Sequence, residues 1–247
     1  MAVAGGPPED PALGQRAAGL RVGGFVPFSG NDFPGKLAAV VFCQGCPWRC
    51  GYCQNPHLIP ARGPAEQGWD DILAWLDTRR GLLDAVVFSG GEPTAQAELR
   101  AAMAAVRARG FAVGLHTGGA YPRRIVELAG QVDWVGLDVK APVGDYGKVA
   151  GVAAAGAAAF ASLDLLQRAG VALEIRTTVH LDLTPPEDLR ELARQLADRG
   201  VRSWVLQMFR PTGCASNALV AAAPAGTQLP PGLLTELTKL VPDIVVR

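Results

Sequence analysis

The stretch LAAVVFCQGCPWRCGYCQNP, residues 37–56, joins an uninterrupted apolar run to a loop that holds four of the chain's five cysteines. The apolar run, residues 37–42, has the length and composition of a strand that is buried on both faces. The cysteines follow at once, at positions 43, 46, 50 and 53. A buried strand that leads into such a loop predicts a parallel α/β sheet with a functional site beyond the carboxyl ends of its strands.

Outward from this stretch, short apolar runs alternate with helical patterns. Further strands are predicted at 85–90, 111–117, 133–140, 173–180 and 203–209, with a short tail strand at 243–247. Near-continuous apolar strands separated by helices are typical of a parallel sheet covered by helices. Because the sequence offers six strand–helix units rather than eight, we expect an α/β fold in the form of a partial (β/α)6 barrel.

The helix after the fifth strand has the clearest predicted start. Thr184 suits the N-cap, and Glu187 stands three residues further on, as in a capping box. Pro185 suits the first helical position.

Polar residues also stand at or near the carboxyl ends of the predicted strands, at Cys43, Ser89, His116, Lys140, Arg176 and Gln207. These side chains are therefore expected to converge on one edge of the sheet.

Charge and composition exclude several classes of partner. The 23 Lys and Arg residues balance 23 Asp and Glu residues, and no basic run stands out, which argues against nucleic acid or an anionic membrane as the main partner. No apolar stretch approaches the roughly 20 residues that span a bilayer. Residues 1–20 lack the apolar centre of a signal peptide, so we expect a flexible tail, one domain at 21–247 and a cytoplasmic protein.

The cysteine spacing indicates a metal site, because thiols in the cytoplasm stay reduced. Cys46-x3-Cys50-x2-Cys53 could hold three irons of a four-iron cluster and leave the fourth open. A four-cysteine zinc site, a four-cysteine electron-transfer cluster and unliganded core thiols are the alternatives. Zinc sites usually separate their cysteine pairs by roughly 15–20 residues, which does not match this loop. Cys43 is predicted to be a buried thiol beside the cluster, with a fourth-ligand role as its alternative.

The three-cysteine motif, with the aromatic Tyr52 before its last cysteine, resembles the signature of the radical S-adenosylmethionine superfamily. The wider stretch GFVPFSGNDFPGKLAAVVFCQGCPWRCGYCQNP, residues 24–56, resembles the glycyl-radical-enzyme activating proteins. It is most similar to the activating protein of anaerobic ribonucleoside-triphosphate reductase. The resemblance runs from about Gly23 through the sixth predicted strand. Activating proteins commonly have a histidine after the third cysteine, where this chain has Gln54.

The resemblance implies a [4Fe–4S] cluster on Cys46, Cys50 and Cys53, with S-adenosylmethionine on the open iron. A one-electron donor such as flavodoxin or ferredoxin would reduce the cluster. Cleavage would give methionine and a 5′-deoxyadenosyl radical, which takes a hydrogen from a glycine of a partner, expected to be anaerobic ribonucleotide reductase. The alternatives are a radical enzyme for a small molecule of the deazapurine-pathway type and a non-enzymatic iron–sulfur or zinc module.

The resemblance also assigns cofactor-binding residues. Gly90, Gly91 and Glu92 match the family motif that contacts the amino group of the cofactor. Asp138 and Lys140, two apart on one face of a strand, resemble a pair that lines the cofactor pocket in activating proteins, with an ordinary ion pair as the alternative.

Three further residues complete the expected pocket. Arg176 lies in a buried strand and needs a charged partner, either the cofactor carboxylate or an acidic neighbour. Glu92 and Arg176 are accordingly expected to act on the cofactor rather than on folding. His116 is expected in the pocket or as a satisfied core histidine, and Gln207 where related proteins have a pocket histidine. Cys214 is expected to be a passive loop thiol.

Overall fold

The computed structural model describes residues 17, 19–64 and 67–247. Most of the predicted tail, residues 1–20, therefore lies outside the described residues. Ala17 and Leu20, at the end of that segment, are buried. In the described part of the chain, no helix has the length and apolar character that crossing a membrane requires.

The described residues form one sheet in which strands that are neighbours in sequence are also neighbours in space. Its strands are β1 (Val22–Ser29), β2 (Ala38–Cys43), β3 (Ala85–Gly90), β4 (Ala112–Thr117), β5 (Trp134–Asp138), β6 (Leu173–Val179), β7 (Ser203–Met208) and β8 (Asp243–Val246). The first pair is antiparallel, and every later pair is parallel. β1 and β8 are the two outer strands, so the sheet is open on one side.

Helices follow the parallel strands and cover the sheet. They are α1 (Trp69–Asp77), α2 (Leu99–Ala108), α3 (Pro122–Leu128), α4 (Tyr146–Ala150), α5 (Ala155–Arg168), α6 (Pro186–Ala197), α7 (Asn217–Gly226) and α8 (Leu233–Thr238). Short 3-10 turns lie at Pro56–Leu58, Pro93–Ala95 and Ala129–Gln131. The apolar stripe of α6 shows why these helices dock, because its Leu189, Leu192, Ala193 and Leu196 are all buried against the sheet.

The predicted α/β fold with a parallel sheet is confirmed. Each predicted strand lies within two residues of the observed one. The structure adds β1 and shows that the predicted tail strand pairs with β7 as β8. β1 was not predicted, because Pro27 interrupts its pattern. Its register against β2 also shifts near both ends. A proline is tolerated there because β1 is an outer strand.

The predicted capping box on α6 is wrong. The helix begins at Pro186, and Pro185 rather than Thr184 occupies the N-cap position. The Thr184 hydroxyl is buried and has no hydrogen-bond partner among the described residues. The Thr184 backbone N–H instead donates to the carbonyl of His180, at 2.9 Å. The turn after β6 therefore holds this threonine one residue too early to cap the helix.

The β1–β2 loop, residues 30–37, turns into the barrel and fills its interior. Phe33 is 5 % exposed and lies against Trp134 of β5, with ring centroids 5.3 Å apart. Ala38, Val40, Ala85 and Val87 complete this interior cluster. The loop thus closes the end of the barrel opposite the carboxyl ends of the parallel strands.

Candidate functional site

The cysteine loop, residues 43–56, is held by backbone hydrogen bonds from two sides. On one side its N–H groups donate to the segment that follows the loop, and on the other to the last turn of α4. These bonds join Gly45 to Leu58, Cys46 to Ile59, Arg49 to Ala150 and Gly51 to Val149, at 2.7–3.2 Å. The loop is therefore positioned by the protein itself.

A cavity of about 290 Å³ lies between the cysteine loop and the carboxyl ends of the parallel strands. Every residue predicted for the site lines it: Cys46, Cys50, Tyr52, Cys53, Gly90, Gly91, Glu92, His116, Asp138, Lys140, Arg176 and Gln207. The structure thus brings together residues that the sequence scatters over more than half of the chain. Their roles stay proposals.

The thiols of Cys46, Cys50 and Cys53 are half-buried and free of disulfides. Burial raises the pKa of Cys46 to about 12 and also raises the pKa of Cys50. In the described part of the chain, no group of His, Cys, Asp or Glu side chains converges on a single metal ion. A four-iron cluster does not need such convergence, because each thiolate ligates a different iron. The three thiols therefore suit a cluster.

Cys43 and Cys214 do not line the cavity. Cys43 is fully buried at the end of β2, and burial raises its pKa strongly. The Cys214 thiol is directed at the carbonyl of Gly51, with 3.7 Å between sulfur and oxygen. Cys43, at the start of the cysteine loop, and Cys214, beside it, both lie outside the cavity.

Gly90 and Gly91 allow the cysteine loop to pack directly on the end of β3. Gly90 has a φ of 104°, and a Cβ there would lie 2.6 Å from the backbone nitrogen of Cys43. A Cβ on Gly91 would lie 2.4 Å from the carbonyl oxygen of Gly45. The sequence predicted these glycines for close approach to a ligand. The structure shows a second requirement, the approach of backbone to backbone.

We expect Gly91→Ala to loosen the cysteine loop and speed the loss of iron from the reconstituted protein several-fold. The added Cβ would meet backbone atoms, which cannot move aside as a flexible side chain can. Gly130→Ala is the matched control, because a Cβ there meets no atom within 4 Å. Iron release to a chelator under anaerobic conditions measures the effect. Equal release from both variants would contradict this account of the loop.

Glu92 is the centre of a buried hydrogen-bond network. Its carboxylate accepts bonds from the N–H and hydroxyl of Thr94, from the Thr117 hydroxyl at 2.7 Å and from the Gly118 N–H at 2.9 Å. The residue is 2 % exposed, and burial raises its pKa although these bonds oppose the rise. Glu92 therefore has a structural role that the sequence did not predict, because it joins the segment after β3 to the carboxyl end of β4.

Asp138 lies between two cations. Its carboxylate accepts from Arg176 Nε at 2.9 Å and lies 3.3 Å from Lys140 Nζ. Burial opposes the charge on Asp138, but the Arg176 and Lys140 cations outweigh it and lower the pKa of Asp138 to about 2. The acidic neighbour considered for Arg176 is therefore present. All three side chains also line the cavity, so the ion pairs do not remove them from it.

Tyr52 supplies a buried polar atom that the described residues leave without a partner. Its hydroxyl makes no hydrogen bond there, although the residue is only 6 % exposed. The ammonium of Lys140 lies 5.7 Å from the centre of its ring and 5.9 Å from that of Trp48. A cavity with three thiols, an unpaired hydroxyl and both signs of charge fits an iron–sulfur cluster with an amino-acid-bearing cofactor.

Both ring nitrogens of His116 have partners. Nε2 lies 2.9 Å from the carbonyl oxygen of Asp32, and Nδ1 lies 3.2 Å from the Ser89 hydroxyl. Burial, followed by the positive charge of Arg176, lowers the pKa of His116 to about 4. His116 is therefore neutral near pH 7 and matches the satisfied histidine that the sequence left as an alternative.

Several lining residues were missed or left without a role. They are Asp32, Trp48, Gln54, Asn55, Ile59, Gly118 and Thr178. Asp32 lies in the turn-rich stretch SGND, which could have marked a loop but not its path into the barrel.

Gln54, which replaces the histidine common in activating proteins, donates to the carbonyl of Arg210 at 2.8 Å. It thereby ties the cysteine loop to the segment after β7.

A partial α/β barrel with a three-cysteine loop at its carboxyl edge defines a class of iron–sulfur enzymes that use S-adenosylmethionine. The chain belongs to the Radical SAM superfamily, whose family model matches residues 40–196. It is accordingly a radical S-adenosylmethionine enzyme, with a [4Fe–4S] cluster and S-adenosylmethionine as its cofactors.

Curated relatives include activating enzymes. A Methanocaldococcus jannaschii protein assigned as a glycyl-radical enzyme activating enzyme is 31% identical over 200 residues, covering 77% of this chain and 80% of that protein. The pyruvate formate-lyase-activating enzyme of Clostridium pasteurianum is 32% identical, covering 66% of this chain and 70% of its own. A 7-carboxy-7-deazaguanine synthase of Methanopyrus kandleri is 31% identical over 45% of this chain and 52% of its own.

Solved structures share the fold. QueE from Escherichia coli superposes with a TM-score of 0.52 at 16% identity, over 92% of this chain and 93% of that one. Streptococcus suis SuiB bound to S-adenosylmethionine superposes with a TM-score of 0.60 at 13% identity. That likeness covers 83% of this chain, which spans about half (48%) of SuiB.

Proposed function

We propose that this enzyme generates a glycyl radical on a partner enzyme, and that the partner is anaerobic ribonucleoside-triphosphate reductase. The observation that carries the first part is the likeness to a relative assigned as a glycyl-radical enzyme activating enzyme, over 77% of this chain. The choice of reductase rests on the resemblance of residues 24–56 to its activating protein. A one-electron donor such as flavodoxin or ferredoxin, in the cytoplasm, completes the proposal.

When bound, the cluster and S-adenosylmethionine supply a reductive cleavage that yields a 5′-deoxyadenosyl radical. Cys46, Cys50 and Cys53 would hold the cluster. The charged end of S-adenosylmethionine would be bound and oriented by the Lys140 and Arg176 cations and by the Asp138 carboxylate.

The open side of the barrel supports a macromolecular substrate. A second cavity, of about 740 Å³, adjoins the first. The β1–β2 loop lines one of its walls, and residues of β6 and β7, with Arg210 and Arg247, line the other. A glycine in a folded partner must reach the place where the radical forms. An open cavity of this size can admit a loop of a protein more readily than a closed pocket could.

A small-molecule substrate is the second candidate. The likeness to the Methanopyrus kandleri 7-carboxy-7-deazaguanine synthase favours it. That match covers less of this chain and of the relative than the matches to the two activating enzymes do. The glycyl-radical proposal therefore has the broader support.

We expect anaerobic incubation with the reductase, S-adenosylmethionine and a reductant to give the doublet of a glycyl radical in electron paramagnetic resonance. The signal should be lost when the radical-bearing glycine of the partner is replaced by alanine, which is the matched control. Cleavage of S-adenosylmethionine without a glycyl signal, together with turnover of a deazapurine precursor, would favour the small-molecule candidate.

A further inference from the structure

The larger cavity and the cofactor cavity form one continuous site. They share Asp32, Gln54, Arg176, Thr178 and Gln207. The β1–β2 loop contributes Gly30, Asn31, Asp32 and Pro34 to one wall of the larger cavity. The position of this loop therefore decides the shape of the approach to the cofactor cavity.

His116 ties this loop to the sheet. Its Nε2 lies 2.9 Å from the backbone carbonyl oxygen of Asp32. A carbonyl oxygen only accepts, so Nε2 carries the proton and donates it. Nδ1 is then the acceptor for the Ser89 hydroxyl, at 3.2 Å. The geometry thus fixes one tautomer of a neutral histidine.

On the C-terminal side of Asp32 the loop is anchored by the apolar side chain of Phe33. On the N-terminal side lies the solvent-exposed tip of the loop, Gly30 and Asn31. Phe33 packs on Trp134, and Trp134 in turn lies edge-on to the His116 ring at 5.5 Å. The Ser29 hydroxyl, at the end of β1, donates to the Asp32 carboxylate at 2.5 Å and accepts from the Asn31 N–H at 3.2 Å, so these bonds tie the tip to the outer strand β1. His116 links the loop to a different strand, β4, in the interior of the sheet.

We propose that His116 is a positioning residue for substrate recognition, which acts by holding the β1–β2 loop as a wall of the larger cavity rather than by contacting the cofactor. The loop-holding part depends on the structure alone. The recognition part rests on the proposed function, since it takes the partner enzyme as the substrate that enters this cavity.

Hydrogen exchange on the cluster-loaded enzyme, without partner, tests the loop-holding part. In His116→Phe the donor is lost, and we expect exchange of the backbone amides of residues 30–33 to rise about three- to tenfold, as the loss of one hydrogen bond predicts. His116→Gln retains an N–H donor and should recover much of the protection. His57→Phe is the matched control, because His57 is exposed and outside the cavities. Unchanged exchange in His116→Phe overturns the proposal.

Two binding measurements test the recognition part. In His116→Phe, the concentration of reductase that gives half of the maximal glycyl signal should rise about tenfold, and more than the Kd for S-adenosylmethionine rises. An equal weakening of both would make His116 a cofactor residue and overturn the proposal. Unchanged half-saturation despite a loosened loop would overturn the recognition part. If the wild-type enzyme gives no glycyl signal, the proposed function fails, while hydrogen exchange and the Kd still decide the role of His116.

Discussion

Replacing Cys46, Cys50 or Cys53 by alanine is expected to abolish iron binding and, with it, cleavage of S-adenosylmethionine. A four-iron cluster needs thiolate ligands, and these three thiols line the same cavity. The two other cysteines of the chain do not line it and cannot substitute without movement of the loop. Iron assay and Mössbauer spectroscopy after anaerobic reconstitution, with quantification of 5′-deoxyadenosine, measure the effect.

Cys214→Ser is the matched control for these variants. Its thiol lies beside the cysteine loop, 3.7 Å from the Gly51 carbonyl oxygen, yet outside the cavity. This variant should keep about four irons, as should Cys43→Ser. Stoichiometric zinc without iron in the wild-type protein would contradict the cluster assignment. Loss of iron in Cys43→Ser would show that Cys43 is a ligand.

The sequence was sufficient to predict those features whose cause is local. The run at 85–90 is mostly apolar, and the run at 173–180 is rich in β-branched residues, so both favour strands from their own composition. The structure has β3 and β6 there. The spacing of Cys46, Cys50 and Cys53 lies within one loop, so no distant contact had to be known. The convergence of polar residues followed from a general property of parallel sheets, whose carboxyl ends share one edge.

Features that depend on distant contacts could not be predicted in this way. Asp32 reaches the site because Phe33 packs inside the barrel on Trp134 and because His116 bonds to the Asp32 carbonyl oxygen, and both partners are distant in sequence. The capping box at Thr184 failed because the turn after β6, rather than the local pattern, sets the start of the helix.

Glu92 shows most clearly how distant contacts change a residue's role. The sequence placed it in a cofactor motif, and the structure adds acceptor bonds from Thr94, Thr117 and Gly118. These donors come from the segment after β3 and from the carboxyl end of β4, so their convergence is a property of the assembled sheet.

Glu92→Ala should therefore lower stability as well as cofactor binding. It leaves the Thr94 and Thr117 hydroxyls and the Thr94 and Gly118 N–H groups without their acceptor. An unpaired buried polar group costs about 1–3 kcal/mol, so the loss should exceed about 3 kcal/mol even if some donors find new partners. For a domain of this size, each kcal/mol lowers Tm by roughly 2–4 °C, so we expect a fall of at least about 6 °C.

Calorimetry of the cluster-loaded protein without S-adenosylmethionine measures this fall, since no contact with S-adenosylmethionine can then contribute. Glu92→Gln should have a smaller effect, because it keeps one acceptor oxygen, and Thr94 Oγ1, Thr94 N and Thr117 Oγ1 all donate to a single oxygen of Glu92. The NH₂ group of the glutamine amide would then face the Gly118 N–H, a donor against a donor, so the recovery of stability should be incomplete.

Glu127→Ala, on the exposed side of α3, is the matched control and should change stability by less than about 0.5 kcal/mol. If Glu92→Ala has the wild-type Tm but no longer binds S-adenosylmethionine, the carboxylate serves the cofactor alone, as the sequence motif by itself implied.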